Sequence, residues 1–246
     1  MQQLTVTGWV VAIVSGLLVG LSKSGLPGVV TIAIVALANV MPAKESVGFL
    51  LPILLAGDVC AVWRYRKEKA LGIVARLMPC TLAGIAVGYL LLGRTNDAHM
   101  RKIIGVIVIA LLALERWTDL TRNGNAISGN RWFARGIGAA AGVTTVLGNA
   151  ASPLIILYLS AMRVGKEQFV AANAWYFLTL NTIKLPLFTV AGLITTQSLA
   201  ANLVIVPFVV LGSAGGAYIL KRIAQESFMI IARLAALAGA IKLLLT

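Results

Sequence analysis

The sequence predicts an all-α polytopic membrane protein made of two inverted-topology repeats, each a broken or re-entrant helical hairpin followed by three transmembrane helices. Three observations support this. Hydrophobic residues make up 59% of the 246-residue chain and charged residues 12%, against about 25% charged in a soluble domain. A stretch rich in glycine and serine interrupts the first apolar region, and a related stretch recurs in the second half. The odd number of spans in each half predicts that the second half enters the membrane upside down.

The first predicted element is a hairpin with the tip Gly-Leu-Ser-Lys-Ser-Gly-Leu-Pro-Gly at 20–28. Its arms, 7–19 and 29–41, have about 13 residues each, or roughly 20 Å as helix. A hydrocarbon core is about 30 Å thick, so the tip is expected at membrane depth. Irregular backbone is tolerated there only where it is buried in protein or lines a cavity. The alternative is a surface loop from which Lys23 snorkels to the interface.

Three spans are predicted after this hairpin, at 47–63, 71–92 and 103–117. The second contains Gly84 and Gly88, whose spacing permits close helix contact. The polar stretch at 115–135 carries the turn signals Asn-Gly-Asn and Ser-Gly-Asn. We therefore divide the chain into a first repeat at 1–117, a cytoplasmic linker at 118–135 and a second repeat at 136–246.

The second half repeats the first at two spacings, 122 and 128 residues, which implies a six-residue insertion between the two sets. The first set pairs Gly16, Gly20, Lys44 and Glu45 with Gly138, Gly142, Lys166 and Glu167, and the second pairs Pro79, Gly84, Gly88 and Arg94 with Pro207, Gly212, Gly216 and Arg222. The second hairpin is predicted with arms at 136–146 and 154–162 and a tip at 147–153. Spans follow at 169–190, 199–219 and 228–245.

The formal net charge of +13 would suggest nucleic acid in a soluble protein. Here the basic residues lie mostly between apolar runs, so the positive-inside rule explains them and no nucleic-acid partner is expected. The loop at 64–69 is strongly basic and its counterpart at 192–199 has no charge, as inversion predicts. This topology puts 64–69, 115–135 and 221–226 in the cytoplasm and both termini outside, although the basic loop at 94–102 argues against it.

Two lysines lie inside predicted membrane segments, and a cation at that depth is a functional-site hypothesis. They are Lys23 at the first tip and Lys184 in the span at 169–190. We expect both to supply positive charge to one anion. The alternative for Lys184 is that it snorkels or pairs helices.

The tips themselves are expected to contribute to the same site. Half-helix amino termini attract anions, and Pro27 and Pro153 suit the first position of each second arm. The tips, 22–28 and 147–153, would therefore meet near the membrane centre. The candidate ligands besides the lysines are Ser22, Ser24, Gly25, Gly148, Asn149 and Asn181. The alternative for Asn149 and Asn181 is hydrogen bonding between helices without substrate.

Asp58 is the one acidic residue well inside a predicted span. Three roles are open for it. It could carry a coupling proton, pair with Lys23 or Lys184, or lie within reach of the interface at Arg64.

Inverted repeats, broken helices and polar residues at the membrane centre are typical of a secondary transporter. The competing classes are an anion channel of the same architecture, a membrane scaffold and an intramembrane enzyme. Catalysis is not expected, because the only histidine, His99, lies in a polar loop and no His-Glu-x-x-His motif is present. The two cysteines have no metal-binding spacing, and no cofactor or metal is expected.

The hairpin at 20–28, its second copy, the Lys-Glu pair after each hairpin and the length of 246 residues together resemble the sulfite exporter TauE/SafE family of membrane permeases. The resemblance spans the whole chain, although the second tip, Leu-Gly-Asn-Ala-Ala-Ser-Pro, lacks a lysine. It implies movement of small sulfur-containing anions such as sulfite, thiosulfate or organosulfonates across a bacterial cytoplasmic (inner) membrane. A carrier for other organic anions, such as carboxylates, stays open. The expected partners are a small anion and lipid, and a homodimer is compatible with the sequence.

Overall fold

The structure is a computed structural model and describes residues 5–68, 70–92, 131–149, 151–231 and 234. All regular secondary structure in these ranges is helical, as the sequence predicts. The helices are α1 (Val6–Ser24), α2 (Val30–Val40), α3 (Ala43–Tyr65), α4 (Leu71–Ala75), α5 (Met78–Leu92), α6 (Arg131–Gly148), α7 (Ser152–Ala161), α8 (Lys166–Val190) and α9 (Thr196–Arg222). Helical residues at 225–231 follow α9.

Three of the described helices are long and apolar enough to cross a membrane: α1, α9 and the part of α3 at Glu45–Tyr65. Shorter apolar helices are α2, α7 and the segment Met78–Leu91. Their lengths and composition are those of a multi-pass membrane protein. The predicted span at 103–117 and the end of the predicted span at 228–245 lie outside the described residues, as does most of the predicted linker.

The first hairpin has a longer first arm than predicted. α1 continues to Ser24, so Lys23 lies on its last turn, and its 19 residues make it long enough to cross a membrane. The expectation of a short first arm is wrong, because packing decides most helices more strongly than the intrinsic propensity of glycine. α2 begins at Val30, so Pro27 does not open the second arm as predicted. Pro27 lies in a turn with Gly28, whose φ of 93° favours glycine.

The second hairpin follows its prediction more closely. α6 ends at Gly148 and α7 begins at Ser152, with Pro153 in its first turn as predicted. The tip residue Asn149 has a φ of 52°, the left-handed conformation that asparagine tolerates after a helix. α6 begins at Arg131, so the last residues of the predicted linker, 131–135, are helical.

The predicted span at 71–92 is wrong as a single helix. α4 ends at Ala75 and α5 begins at Met78. Arg76 is exposed at the break. Pro79 has no N–H to continue a helical ladder but is tolerated in a first turn, so a new helix begins just before it.

α8 is one continuous 25-residue helix that covers the predicted span at 169–190, with Pro186 inside it. Asn173, Asn181 and Lys184 lie on its buried side. Three exposed threonines donate their hydroxyls to carbonyl oxygens four residues earlier: Thr179, Thr182 and Thr189. The outward hydroxyls are therefore satisfied by the helix itself, which suits a face toward lipid.

α1 packs against α9 closely enough that the two backbones touch. A Cβ added to Gly20 would overlap the carbonyl oxygen of Val209, and one added to Gly212 would overlap that of Leu17. Further along, Gly25 lies against Gly216, so the two helices run in the same direction.

α5 packs against α6 in the same way. A Cβ added to Gly142 would overlap the carbonyl oxygen of Thr81, and one added to Gly84 would overlap that of Ala139. The predicted close contact of the Gly84–Gly88 motif is therefore confirmed. Both contacts are related to those between α1 and α9 by the offsets of 122 and 128 residues found in the sequence.

The two hairpin tips lie at different heights along α3. The Tyr65 hydroxyl, at the end of α3, donates to the carbonyl oxygen of Ser24 at 2.8 Å. The Asn149 amide, in the second tip, donates to the carbonyl oxygen of Val47, near the start of α3, at 3.2 Å. α1 and α6 thus end toward opposite ends of α3.

Adding one methyl group should separate packed glycines from free ones on the same helix. Gly142→Ala forces α6 away from α5 and should destabilise by about 1–3 kcal/mol, lowering the unfolding temperature in detergent by several degrees. Gly136→Ala is the matched control, because a Cβ there meets nothing within 4 Å. Its unfolding temperature should stay level or rise, since alanine favours helix. Equal temperatures for the two variants would contradict this packing.

Candidate functional site

One face of α8 carries four buried side chains, two of them polar and two aromatic. Phe177, Asn181, Lys184 and Phe188 follow one another at spacings of four, three and four residues, which places them on a single stripe. All four are buried in the protein interior. The stripe therefore presents an amide and an ammonium between two aromatic rings.

The first half of the chain contributes an ion pair to this stripe. Lys23 Nζ, on α1, lies 2.7 Å from Oδ1 of Asp58, on α3, and these side chains are only 3% and 0% exposed. Lys23 Nζ also lies 4.1 Å from the centre of the Phe177 ring. Gly57 makes room for the lysine, because a Cβ there would meet the Lys23 stem at 3.0 Å. The Asn181 amide donates to Asp58 Oδ2 at 2.6 Å and joins the pair to α8.

Lys184 is held by the second hairpin. Its ammonium donates to Asn149 Oδ1 at 2.6 Å, to Thr145 Oγ1 at 3.0 Å and to the Thr145 carbonyl oxygen at 3.2 Å. Three acceptors match the three donors of a charged lysine. The amide nitrogen of Asn149 donates to the carbonyl oxygen of Val47, so both ends of this amide have suitable partners.

These residues form one buried cluster, which we call the charge cluster: Lys23, Asp58, Asn149, Asn181 and Lys184, with Thr145. It contains two ammonium groups and one carboxylate. Asp58 is the one buried acidic side chain among the described residues. With both lysines protonated and Asp58 ionised, the described cluster carries one positive charge in excess, and a buried charge is costly unless it is paired. An arrangement of this kind attracts an anion.

The structure brings together five of the predicted site residues. Lys23 and Lys184 do not snorkel, and Asp58 is not within the Arg64 interface, because all three are buried in the charge cluster. Asp58 pairs with Lys23, one of the partners foreseen for it. Asn181 donates to Asp58 and Asn149 donates to the Val47 carbonyl oxygen, so both residues form hydrogen bonds to α3.

The remaining predicted ligands lie apart from these contacts. Ser24 Oγ is 2.5 Å from Ser213 Oγ, and Gly25 packs against Gly216. Ser22 is buried on the last turn of α1, and Gly148 ends α6.

The expectation that amides of both tips face one anion is not met at the first tip. The backbone N–H groups of Gly25 and Leu26 both donate to the carbonyl oxygen of Leu21. α2 begins at Val30, beyond the predicted site. The connection from one tip to the other runs through side chains of α3 and α8.

Sequence reasoning missed Thr145 and the two phenylalanines. Thr145 lies 122 residues after Lys23, the offset of the first repeat set, so the repeat did contain a signal for it. Phe177 and Phe188 had no signal separate from that of an ordinary apolar helix face. Their rings lie 4.1 Å from Lys23 Nζ and 5.6 Å from Lys184 Nζ.

Removing one partner of the buried ion pair should cost more than removing both. Lys23→Met leaves the Asp58 carboxylate without its cation and should lower the free energy of unfolding by about 3–5 kcal/mol. The double variant Lys23→Met/Asp58→Asn should recover much of this loss. These changes in the free energy of unfolding are measured by unfolding in detergent. Lys221→Met, on the exposed end of α9, is the control. A single variant as stable as the control would refute the pairing.

The chain matches a known protein family. A family model described as Sulfite exporter TauE/SafE matches residues 11–243, almost the whole chain. No curated protein and no solved structure matches. The match covers both hairpin tips and every residue of the charge cluster. The chain therefore belongs to the sulfite exporter TauE/SafE family.

Proposed function

We propose that this chain is a secondary transporter for small sulfur-containing anions such as sulfite, thiosulfate or organosulfonates. The observation that carries the proposal is the excess positive charge of the buried charge cluster, since such a charge has no structural use without an anion to pair with it. Membership of the family supports the sulfur class. We place the protein in a bacterial cytoplasmic membrane, with lipid and the anion as its partners.

The anion is proposed to bind at Lys184. Lys23 already has a carboxylate partner, whereas the hydrogen-bond partners of Lys184 among the described residues are all neutral. Asn149 Oδ1 stands 2.6 Å from the ammonium, where an oxygen of a bound anion would stand. An incoming anion displaces this oxygen. The same asparagine can then turn its amide nitrogen toward the anion as a donor.

A carrier is favoured over a channel of the same architecture. Lys184 and Asp58 are both 0% exposed, so the cluster is closed to solvent in this conformation. A carrier requires such a closed state, whereas an open pore would leave its charged groups in contact with water.

Two inverted repeats are proposed to move against each other around the cluster. Three observations support the inversion. The glycine contacts of α1 with α9 and of α6 with α5 correspond at the sequence offsets. α1 and α6 end toward opposite ends of α3. α3 and α8 run antiparallel, because Gly48 contacts Leu193 just beyond α8 while Asp58 contacts Asn181 within it.

The basic helix ends support one orientation. Tyr65 contacts Ser24, Gly25 contacts Gly216, and Lys166 Nζ donates to the carbonyl oxygen of Ile223 at 2.5 Å. The basic segments at 64–68 and 221–222 therefore lie toward the same end of the molecule. The positive-inside rule assigns that end to the cytoplasm.

Transport is tested first by uptake into proteoliposomes. Labelled sulfite, thiosulfate and methanesulfonate should be compared, and at least one should enter with saturable kinetics. Lys184→Met removes a charged hydrogen-bond donor and should weaken anion affinity roughly ten- to a hundredfold, from about 1.5–3 kcal/mol. The exposed Lys221→Met is the matched control and should transport normally. If no anion enters through folded protein, the substrate class is wrong. Unchanged uptake by Lys184→Met would show that the anion does not bind at Lys184.

A carboxylate fixed at position 149 should imitate a bound anion. Asn149→Asp places a negative charge 2.6 Å from the Lys184 ammonium, so the unfolding temperature should rise and anions should no longer raise it further. Asn149→Ala removes the competing oxygen without adding charge. It should retain stabilisation by anions, although the protein itself should be less stable. The same response from both variants would show that Asn149 does not occupy the anion position.

A further inference from the structure

We propose that Asp58 adjusts the charge cluster to the charge of its cargo: a monovalent anion crosses alone, and a divalent anion crosses together with one proton carried on Asp58. The inference rests on the transport function proposed above and adds its coupling. It relates the charge of the anion to the number of protons that accompany it. It also gives a role to Asp58, the one buried carboxyl group among the described residues.

The charge balance leads to this rule. With Asp58 ionised, two lysines and one carboxylate sum to one positive charge, which a monovalent anion neutralises. With Asp58 protonated, the sum is two positive charges, which a divalent anion neutralises. A net charge at this depth is expensive in a membrane, so the loaded cluster is most stable when its sum is zero.

The helices that pack around Asp58 contribute no charged group near it other than the lysines of the charge cluster, among the described residues. α1 contributes Lys23 and α8 contributes Asn181, with Lys184 one turn away. α2 contains no charged residue. α9 meets α3 through Asn202, whose amide donates to the carbonyl oxygen of Phe49 at 3.1 Å. The only charged residues of α9 are Lys221 and Arg222, exposed at its far end.

We place the proton on Oδ1, the carboxyl oxygen of Asp58 that faces Lys23. Asp58 Oδ2 accepts from the Asn181 amide at 2.6 Å, and Oδ1 lies 2.7 Å from the Lys23 ammonium. When an O–H bond forms at Oδ1, Lys23 needs another partner. The Phe177 ring lies 4.1 Å from its Nζ. Asn181 Oδ1 is buried without a hydrogen-bond donor among the described residues.

The proton balance of one cycle is simple. A proton from the solution on the loading side bonds to Asp58 Oδ1 as the divalent anion binds. The O–H bond breaks on the other side, and the proton leaves with the anion. Each cycle then moves one net negative charge, whether the cargo is a monovalent anion alone or a divalent anion with a proton.

The test measures protons and charge for two anions of fixed valence. Proteoliposomes containing a pH-sensitive dye are given labelled thiosulfate, which is divalent at neutral pH, or methanesulfonate, which is monovalent. The membrane potential is set with potassium and valinomycin. We expect one proton per thiosulfate, none per methanesulfonate, and a reversal potential that corresponds to one negative charge for both.

The variant Asp58→Asn imitates protonated Asp58, because its side chain at position 58 is always neutral. It should carry thiosulfate without a proton, moving two negative charges, and its preference for thiosulfate over methanesulfonate should rise at least tenfold. Glu226→Gln is the control, because Glu226 is exposed beyond α9. It should keep the stoichiometry of the unmodified protein.

The results separate this inference from the proposed function. Saturable uptake of both anions with equal proton flux would overturn the charge rule and leave the transporter standing. Continued proton movement in folded Asp58→Asn would overturn Asp58 as the carrier of the proton. Absence of uptake for thiosulfate and methanesulfonate would overturn the rule, and absence of sulfite uptake as well would overturn the proposed substrate class. If the variant fails to fold, the proton-to-anion ratios of the unmodified protein decide the question alone.

Discussion

The cost of burying charge in a membrane protein is the constraint on which this structure depends. Lys23, Asp58 and Lys184 are closed to solvent, so each must find its partners inside the fold. Those partners come from four helices: α1 and α3 provide the ion pair, α8 provides Asn181 and Lys184, and α6 with the second tip provides Thr145 and Asn149. The charges therefore determine which helices must meet at the centre of the protein.

Glycine makes that meeting sterically feasible. α1 approaches α9, and α6 approaches α5, until backbone touches backbone, and Gly57 opens space for the stem of Lys23. In lipid there is no hydrophobic force between helices, so close van der Waals packing of small residues has to hold them together. The charge cluster therefore depends on the glycine contacts. These contacts hold the helices at the distance from which short polar side chains can reach each other.

The sequence predicted the helical class, the family, the second hairpin and the residues of the charge cluster except Thr145. Chemistry explains this success, because lysine, aspartate and asparagine side chains in apolar segments must find polar partners inside the protein. Geometry explains the failures. Gly20 opens the predicted tip, yet α1 continues past it to Ser24 through contacts with α9 that no local pattern reveals. The tips were expected to meet, but their positions along α3 depend on how distant helices pack.

The amide of Asn149 has a mechanical consequence. Its oxygen touches Lys184 of α8 and its nitrogen touches the Val47 carbonyl oxygen of α3. Both atoms belong to one rigid planar amide group, so a rotation of that group about the Cβ–Cγ bond moves them together. The second tip is therefore tied to α8 and to α3 through the same amide group. A rotation that breaks the contact with the Lys184 ammonium also moves the amide nitrogen away from the start of α3.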